Sequence, residues 1–235
     1  MQLFYTPEFS EKKSFLGRDE SHHCISVMRL KKEDIVYVTN GRGDLYKAKI
    51  EIPDPAECYL KVLEKQPGFG RRDYRIAIGI CPTKNTGRFE TFIEKSTEIG
   101  IDTIKPLLCK NSERKKINPE RIEKIITSAM KQSLKAYRPQ LEKMQNFKKV
   151  VEEDFAGQKF IASESAETGK HIGNLYKPGN NALILIGAEG GFSDYEMELA
   201  VENGFIPVSL GEFRLRTETA GIVSCHAIHM LNSLS

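Results

Sequence analysis

From residue 71 onward the chain alternates short apolar runs with amphipathic stretches, and this alternation restricts the fold more than any other feature. RIAIGIC (75–81), Thr103–Leu108, Lys159–Ser163, Ala182–Ile186 and Pro207–Leu210 read as short strands. Runs such as ALILI carry no polar position, as expected of strands buried on both faces of a parallel sheet. Helical patterns lie between them. Phe89, Phe92, Ile93 and Ile99 recur at helical spacing, and Gly100 stands where a C-cap belongs. Asn118-Pro119-Glu120 opens a helix that Ile122, Ile125, Ile126, Ala129 and Met130 continue on one face. Ser193-Asp194-Tyr195-Glu196 has the form of a capping box, with Gly204 at the far end of that helix. Thr219 to Leu234 closes the chain as a helix, with Val223, Ala227, Met230, Leu231 and Leu234 on one stripe. The expected class is α/β with a mainly parallel sheet.

The first 70 residues have a different texture. In DIVYVTNGRGDLYKAKIEI, Val36 and Val38 alternate with polar neighbours, Asn40-Gly41 is a hairpin signal, and Leu45–Ile50 returns as a second strand. A short helical piece around Ser21–Leu30 interrupts the β pattern. KQPGFGRRD is rich in glycine, proline and charge, so the expected division is a β domain over 1–70 and an α/β domain over 71–235. No apolar run reaches the ~18 residues of a membrane helix. The five cysteines are scattered, with no CxxC pair, so neither a metal site nor a disulfide framework is expected, and a reducing, cytoplasmic setting fits.

The net charge of +3 conceals an uneven distribution. Residues 71–150 hold 19 basic and 9 acidic side chains, whereas residues 151–235 hold 5 basic and 12 acidic. A basic block of that length suits a polyanionic partner, and it is equally the composition of a solvated helix face.

Ligands of open α/β sheets bind beyond the carboxyl ends of the strands. Two such loops stand out. In ALILI-GAEGG-FSDYE a strand runs through Gly187, Glu189, Gly190 and Gly191 into a capped helix, giving close backbone approach and free N–H groups. It matches neither GxxxxGK[ST] nor GxGxxG, which argues against a nucleotide-phosphate loop. In VSL-GEFRLRTETA-GIVS, Leu210 and Gly211 end a strand, and Arg214 and Arg216 precede the last helix, an arrangement suited to an anionic or carbonyl-bearing ligand.

IGAEGGFS followed by VSLGEFRLRTETA resembles the 16S ribosomal RNA uracil-N3-methyltransferase family of the SPOUT superfamily, whose S-adenosylmethionine-dependent enzymes contain a trefoil knot. HHCISVMRLKKEDIVYVTNGRGDLYKAKI is similar to that family's N-terminal PUA-like RNA-binding β-barrel, at His23, Val27 and Arg29. PTKNTGRFETFIEKSTEIGIDTIKP is similar to the start of its methyltransferase domain, at Lys84, Arg88, Lys95, Glu98, Gly100 and Pro106. NSERKK and MKQSLKAYRP match at Glu113, Arg114, Gln132, Ser133 and Pro139, so the likeness spans nearly the whole chain. The sequence departs from the pattern at Ala188, usually proline, at Phe213-Arg214, usually an arginine and then an aliphatic residue, and at Lys135 and Ser26, both usually arginine.

The resemblance implies methyl transfer from S-adenosylmethionine to N3 of a uridine in 16S ribosomal RNA of the small subunit, by a homodimer without metal. It implies a cofactor site from Gly187, Glu189, Gly190, Gly191, Leu210, Gly211, Leu215, Arg216, Thr219 and Ala220, with Ser163 and Glu164 as a weaker third segment. Arg216 is expected to stabilise the uracil anion, and Glu218 or Glu189 to accept the N3 proton. His23, Arg29, Lys84, Arg88, Lys95, Arg114, Lys135 and Arg138 are expected to hold RNA. His226 and His229 read as helix-surface or dimer-contact residues, and Cys225 as a small core residue. Two alternatives stay open on the residues alone: a non-catalytic RNA-binding protein, and a SPOUT enzyme acting on ribose 2′-oxygen.

Overall fold

The computed structural model describes residues 2–163 and 170–235. The chain divides into two compact units, Met1–Arg71 with Thr127–Arg138, and Arg72–Ile126 with Pro139–Ser235. A division at residue 70 alone has no place for 127–138. That segment joins the first unit through hydrogen bonds to its backbone carbonyls and amides. Thr39 Oγ1 donates to the Ala136 carbonyl at 3.1 Å, the Gly43 N–H donates to the same oxygen at 2.9 Å, and the Arg138 N–H donates to the Gly41 carbonyl at 2.9 Å.

The first unit is built on one sheet with strand order β1-β2-β3-β4. Its elements are β1 (Leu3–Tyr5), α1 (Arg18–His22) with a π-helical turn at His23–Val27, β2 (Ile35–Thr39), β3 (Leu45–Ile52) and β4 (Tyr59–Gln66). Strands β2 and β3 form the expected hairpin, but the last pair is Thr39 with Leu45, so the connection is Asn40–Asp44 rather than a two-residue turn. Asn40 Oδ1 accepts from the Arg42 N–H at 2.9 Å, which bends the chain there and leaves Gly41 at φ 76°. The expected helical piece ends at Val27, with Met28 as its C-cap, and the chain turns away at Arg29, whose φ is 58°.

The second unit holds β5 (Ile76–Ile80), α2 (Thr86–Ile99), β6 (Thr103–Leu108), α3 (Pro119–Gln132, whose last turns belong to the first unit), β7 (Gln140–Leu141), β8 (Gln145–Asn146) and α4 (Phe147–Val151). It continues with β9 (Gln158–Ala162), α5 (Ile172–Leu175), β10 (Ala182–Ile186), α6 (Asp194–Glu202), β11 (Ile206–Val208) and α7 (Thr217–Ser233). The strands run in the order β11-β9-β10-β5-β6-β7, with β8 also on β6, and every pairing is parallel.

Alternation along the strands builds two cores. Ile76, Ile78 and Ile80 with Ile184 and Ile186 pack on one face beneath Phe89, Phe92 and Ile93 of α2. Ala77, Leu183 and Leu185 point the other way, toward Phe147, Val150 and Val151 of α4. Gly79 sits on that second face, where a Cβ would lie 2.6 Å from Leu185.

Helix α7 differs from the sequence expectation. Its buried positions are Thr217, Glu218, Ala220, Gly221, Ser224, Cys225 and Ile228. The stripe from Val223 to Leu234 is not the buried one, since Met230 is 42% and Leu234 79% exposed. Small residues let α7 lie close against α2, where a Cβ on Gly221 would come within 2.6 Å of Phe92. Side-chain size, not apolarity, chose the inward face.

Candidate active site

Strand β9 lies between β10 and β11 in the sheet. The exits of β10 and β11 therefore flank that of β9, and both are the glycine-rich loops. After β10 the Gly191 N–H closes a turn onto the Ala188 carbonyl at 2.8 Å, with Gly191 at φ +70°. A Cβ on Gly187 would meet the Gly191 carbonyl carbon at 3.1 Å, so the turn folds tightly on itself. Asn111 Nδ2 donates to the carbonyls of Gly190 at 3.0 Å and Gly191 at 3.3 Å. The buried Glu196 carboxylate locks the next turn. It accepts from the Ser193 N–H at 2.8 Å, completing the capping box, and from the Lys110 N–H at 2.7 Å.

After β11 the chain bends through Ser209, whose Oγ accepts from the Gly211 N–H at 3.2 Å, and Gly211 takes φ +143°. Arg214 then reaches back and donates from Nη2 to the Glu189 carbonyl at 3.3 Å, tying the two loops together. Arg216 is the N-cap residue of α7, and its own carbonyl accepts from the Ala220 N–H at 2.8 Å. Among the described residues its exposed guanidinium makes no hydrogen bond or ion pair.

Between these loops lies a cavity of about 610 Å³. Of the residues expected at a cofactor site, the two loops bring nine to its wall: Gly187 and Glu189–Gly191 from one, and Leu210, Gly211, Leu215, Arg216 and Ala220 from the other. Thr219 and Glu218 are not among the lining residues. Ser163 lines the cavity from β9, and Glu164 lies outside the described residues. Phe192, Met197 and Ser209 also line it and were not expected, because each reads in sequence as ordinary loop or helix content.

A methylated nucleoside cofactor fits this cavity. Its volume lies in the range of small-molecule sites, ~300–1,000 Å³. Gly191 and Gly211 both line it with open space where a Cβ would stand, so a ligand can approach the backbone at two points.

A second cavity of about 500 Å³ adjoins, lined by Lys84, Asn85, Thr86, Glu113, Arg114 and the two residues shared with the first cavity, Arg88 and Glu189. Arg114 donates to the carbonyls of Thr83 at 3.1 Å and Lys84 at 2.6 Å, which fixes the entry to α2. Lys84 Nζ lies 2.8 Å from Glu113, and that hydrogen bond raises the lysine's pKa. Glu189 Oε1 accepts from the Lys84 N–H at 3.0 Å. Arg88 Nε lies 3.7 Å from Glu218 Oε1.

The remaining basic residues lie elsewhere. Lys95 pairs with Glu94 and Glu98 on α2, at 2.7 and 2.9 Å. His23, Arg29, Lys135 and Arg138 belong to the first unit, where the Arg138 guanidinium stacks 5.6 Å from the Tyr5 ring centroid. On α7, His226 is exposed, and His229 Nδ1 shares a 2.8 Å hydrogen bond with the Tyr74 hydroxyl. Cys225 is buried. No helix is long and apolar enough to cross a membrane, and no group of three or more His, Cys, Asp or Glu is gathered for a metal, among the described residues.

Comparison with known proteins agrees with this geometry. A family model described as an RNA methyltransferase domain matches residues 71–229, and one described as an RNA methyltransferase PUA domain matches residues 16–63. Ribosomal RNA small subunit methyltransferase E of Synechocystis is 31% identical over 241 residues, covering 98% of this chain and 77% of its own. The protein of that name from Buchnera aphidicola is 30% identical over 223 residues, covering 92% and 87%. A crystal structure of a probable rRNA-methyltransferase from Porphyromonas gingivalis superposes with a TM-score of 0.90 at 40% identity, covering 100% of this chain and 99% of that one. A Legionella pneumophila structure containing bound S-adenosylmethionine gives 0.86 at 25% identity, covering 98% and 97%. On these grounds the chain belongs to the RNA methyltransferase family of ribosomal RNA small subunit methyltransferase E.

Proposed function

We propose that this enzyme transfers a methyl group from S-adenosylmethionine to N3 of one uridine in the 16S RNA of the small ribosomal subunit. The observation that carries the reading is the cavity between two glycine-rich strand exits, with the unengaged Arg216 guanidinium on its wall. Bound S-adenosylmethionine supplies an electrophilic methyl on a sulfonium. The protein's part is to position the base and manage its charge. N3 of uracil becomes a nucleophile only as its proton leaves, and negative charge then spreads to O2 and O4. Arg216 is available to stabilise that charge. Glu189 lines both cavities and is the better situated proton acceptor. Glu218, off the wall and facing Arg88, instead orients that guanidinium.

Lys84, Arg88 and Arg114 at the second cavity, with His23, Arg29, Lys135 and Arg138 of the first unit, hold the RNA mainly through phosphates. Lys95, already paired within α2, contributes long-range charge. The working form is a cytoplasmic homodimer, supported by the outward apolar positions Met230 and Leu234 on α7 and by five free cysteines. The trefoil knot enters through membership of the family.

The test is methylation of unmodified small subunits and naked 16S RNA with labelled S-adenosylmethionine, followed by nucleoside mass spectrometry. N3-methyluridine at a single site is expected. Label on ribose overturns the base chemistry, and absence of both label and cofactor binding favours a non-catalytic RNA-binding protein.

A further inference from the structure

Two cysteines that sequence spacing treats as unrelated meet in the second unit. Cys81 follows β5 and Cys109 follows β6, neighbouring strands in register at Ile80 and Pro106. Their Sγ atoms lie 2.8 Å apart. Both are buried, and neither lines the cofactor cavity. Each is nonetheless one step from the glycine loop. The Cys81 N–H donates to the Ile186 carbonyl at 3.1 Å, immediately before Gly187. Cys109 begins a turn closed by Ser112, whose Oγ accepts from the Cys109 N–H at 2.9 Å. That same turn carries the Lys110 N–H that binds Glu196 and the Asn111 amide that holds the carbonyls of Gly190 and Gly191.

We propose that Cys81 and Cys109 are a thiol modification site, a dithiol that a peroxide converts to a disulfide, and that this oxidation weakens S-adenosylmethionine binding. The inference rests on the cofactor reading of the adjacent cavity. The hydrogen bond between the two thiols, with another to Ser112, draws the Cys81 thiol below its ordinary pKa against the opposing effect of burial, while that same bond and burial push Cys109 up. In the proposed reaction Cys81 takes the first step, as its thiolate. It takes one oxygen of the peroxide, giving a sulfenic acid and hydroxide. The Cys109 sulfur then displaces the sulfenic oxygen, which leaves as water with the Cys109 proton. Two thiols and one hydrogen peroxide give one disulfide and two waters. Local opening at the strand ends admits the peroxide. Bonding draws the sulfurs to ~2.05 Å, which displaces the 109–112 turn and loosens the Asn111 clamp on the glycine loop.

The experiment treats the full-length protein with hydrogen peroxide, blocks free thiols, maps peptides by mass spectrometry and measures S-adenosylmethionine affinity by calorimetry. A Cys81–Cys109 linked peptide is expected, with affinity reduced about fivefold or more and restored by a thiol reductant. Cys81→Ser should bind as the reduced protein does and ignore peroxide, whereas Cys109→Ala should bind likewise when reduced and stop at a sulfenic acid on Cys81, with no linked peptide. No such linked peptide, or a linked peptide with unchanged affinity, overturns the proposal. Equal peroxide sensitivity in Cys81→Ser does so too, assigning the effect to another thiol. Failure of the reduced protein to bind S-adenosylmethionine sinks the cofactor reading, and this inference with it, whatever the peptide map shows.

Discussion

Arg88 on the first turn of α2 and Glu218 on the first turn of α7 form an ion pair, Nε to Oε1 at 3.7 Å, with the carboxylate side chain 12% and the guanidinium 41% exposed. The more buried partner holds the more exposed one at the threshold between the two cavities. Glu218→Gln should therefore lower kcat by about 10²-fold through misplacement of Arg88. Affinity for S-adenosylmethionine should be unchanged. Arg88→Ala should cost about as much, and the double variant no more than either single one, because the residues act as a unit. Single-turnover kinetics with calorimetry checks this. Additive losses would show that Glu218 acts on its own, as a proton acceptor would.

Arg216 is unlike Arg88 and Arg214, which are both engaged. An unengaged guanidinium on the cavity wall adds nothing to the fold that its removal would reveal. Arg216→Ala should reduce kcat by about 10²–10³-fold, the usual loss when one charge-stabilising donor is removed. Melting temperature and cofactor affinity should hold. A large fall in cofactor affinity would make Arg216 a binding residue instead.

Gly191 and Gly211 adopt φ +70° and +143°, where a side chain is strained, and both line the cavity. Gly191→Ala and Gly211→Ala should each weaken S-adenosylmethionine binding, with strain of ~1–2 kcal/mol at most adding to the loss of space. Gly179→Ala is the control. It also has positive φ, +81°, and open space for a Cβ, but lies away from the cavity. Equal loss of cofactor affinity in all three would reduce the effect to general destabilisation.

Much of this architecture is legible in the residues. ALILI reads as a buried strand because both faces of β10 are covered, and Ser193 with Glu196 reads as a capping box because its two reciprocal hydrogen bonds are local. What the sequence conceals is non-local. The return of 127–138 to the first unit depends on the Ala136 carbonyl meeting Thr39 and Gly43, which no periodicity encodes. The inward face of α7 is chosen by close approach to Phe92, so an apolarity pattern points to the wrong stripe. Cys81 and Cys109, 28 positions apart, meet only because β5 and β6 are neighbours. At the site, the glycines and Arg216 are visible as strand exits, whereas the facing of Glu218 toward Arg88 requires two helices to pack.

Lys84 and Arg114 line the second cavity, and Lys84 keeps 75% of its side chain exposed despite pairing with Glu113. An exposed pair of this kind is weak and yields readily to a phosphate. Lys84→Ala should weaken RNA binding and reduce the slope of log K against log salt by about one. Lys95→Ala, removing a cation already shared by Glu94 and Glu98, should change the slope much less. Filter binding across a salt series decides it, and an unchanged slope for Lys84→Ala would remove that lysine from the RNA contact.

The outward positions of α7 bear on assembly. Met230 is 42% and Leu234 79% exposed, while Ala227 and Leu231 on the same stripe are only partly packed against the core. A helix whose buried face is made of small residues leaves its larger apolar groups outside, and burying them against a second copy removes apolar area from water at ~25 cal/mol per Å². Met230→Asp should therefore shift the protein toward monomer in sedimentation velocity, with its circular dichroism unchanged, because the site is outside the core of its own chain. If Met230→Asp sediments as the unaltered protein does, this face of α7 is not the contact between copies.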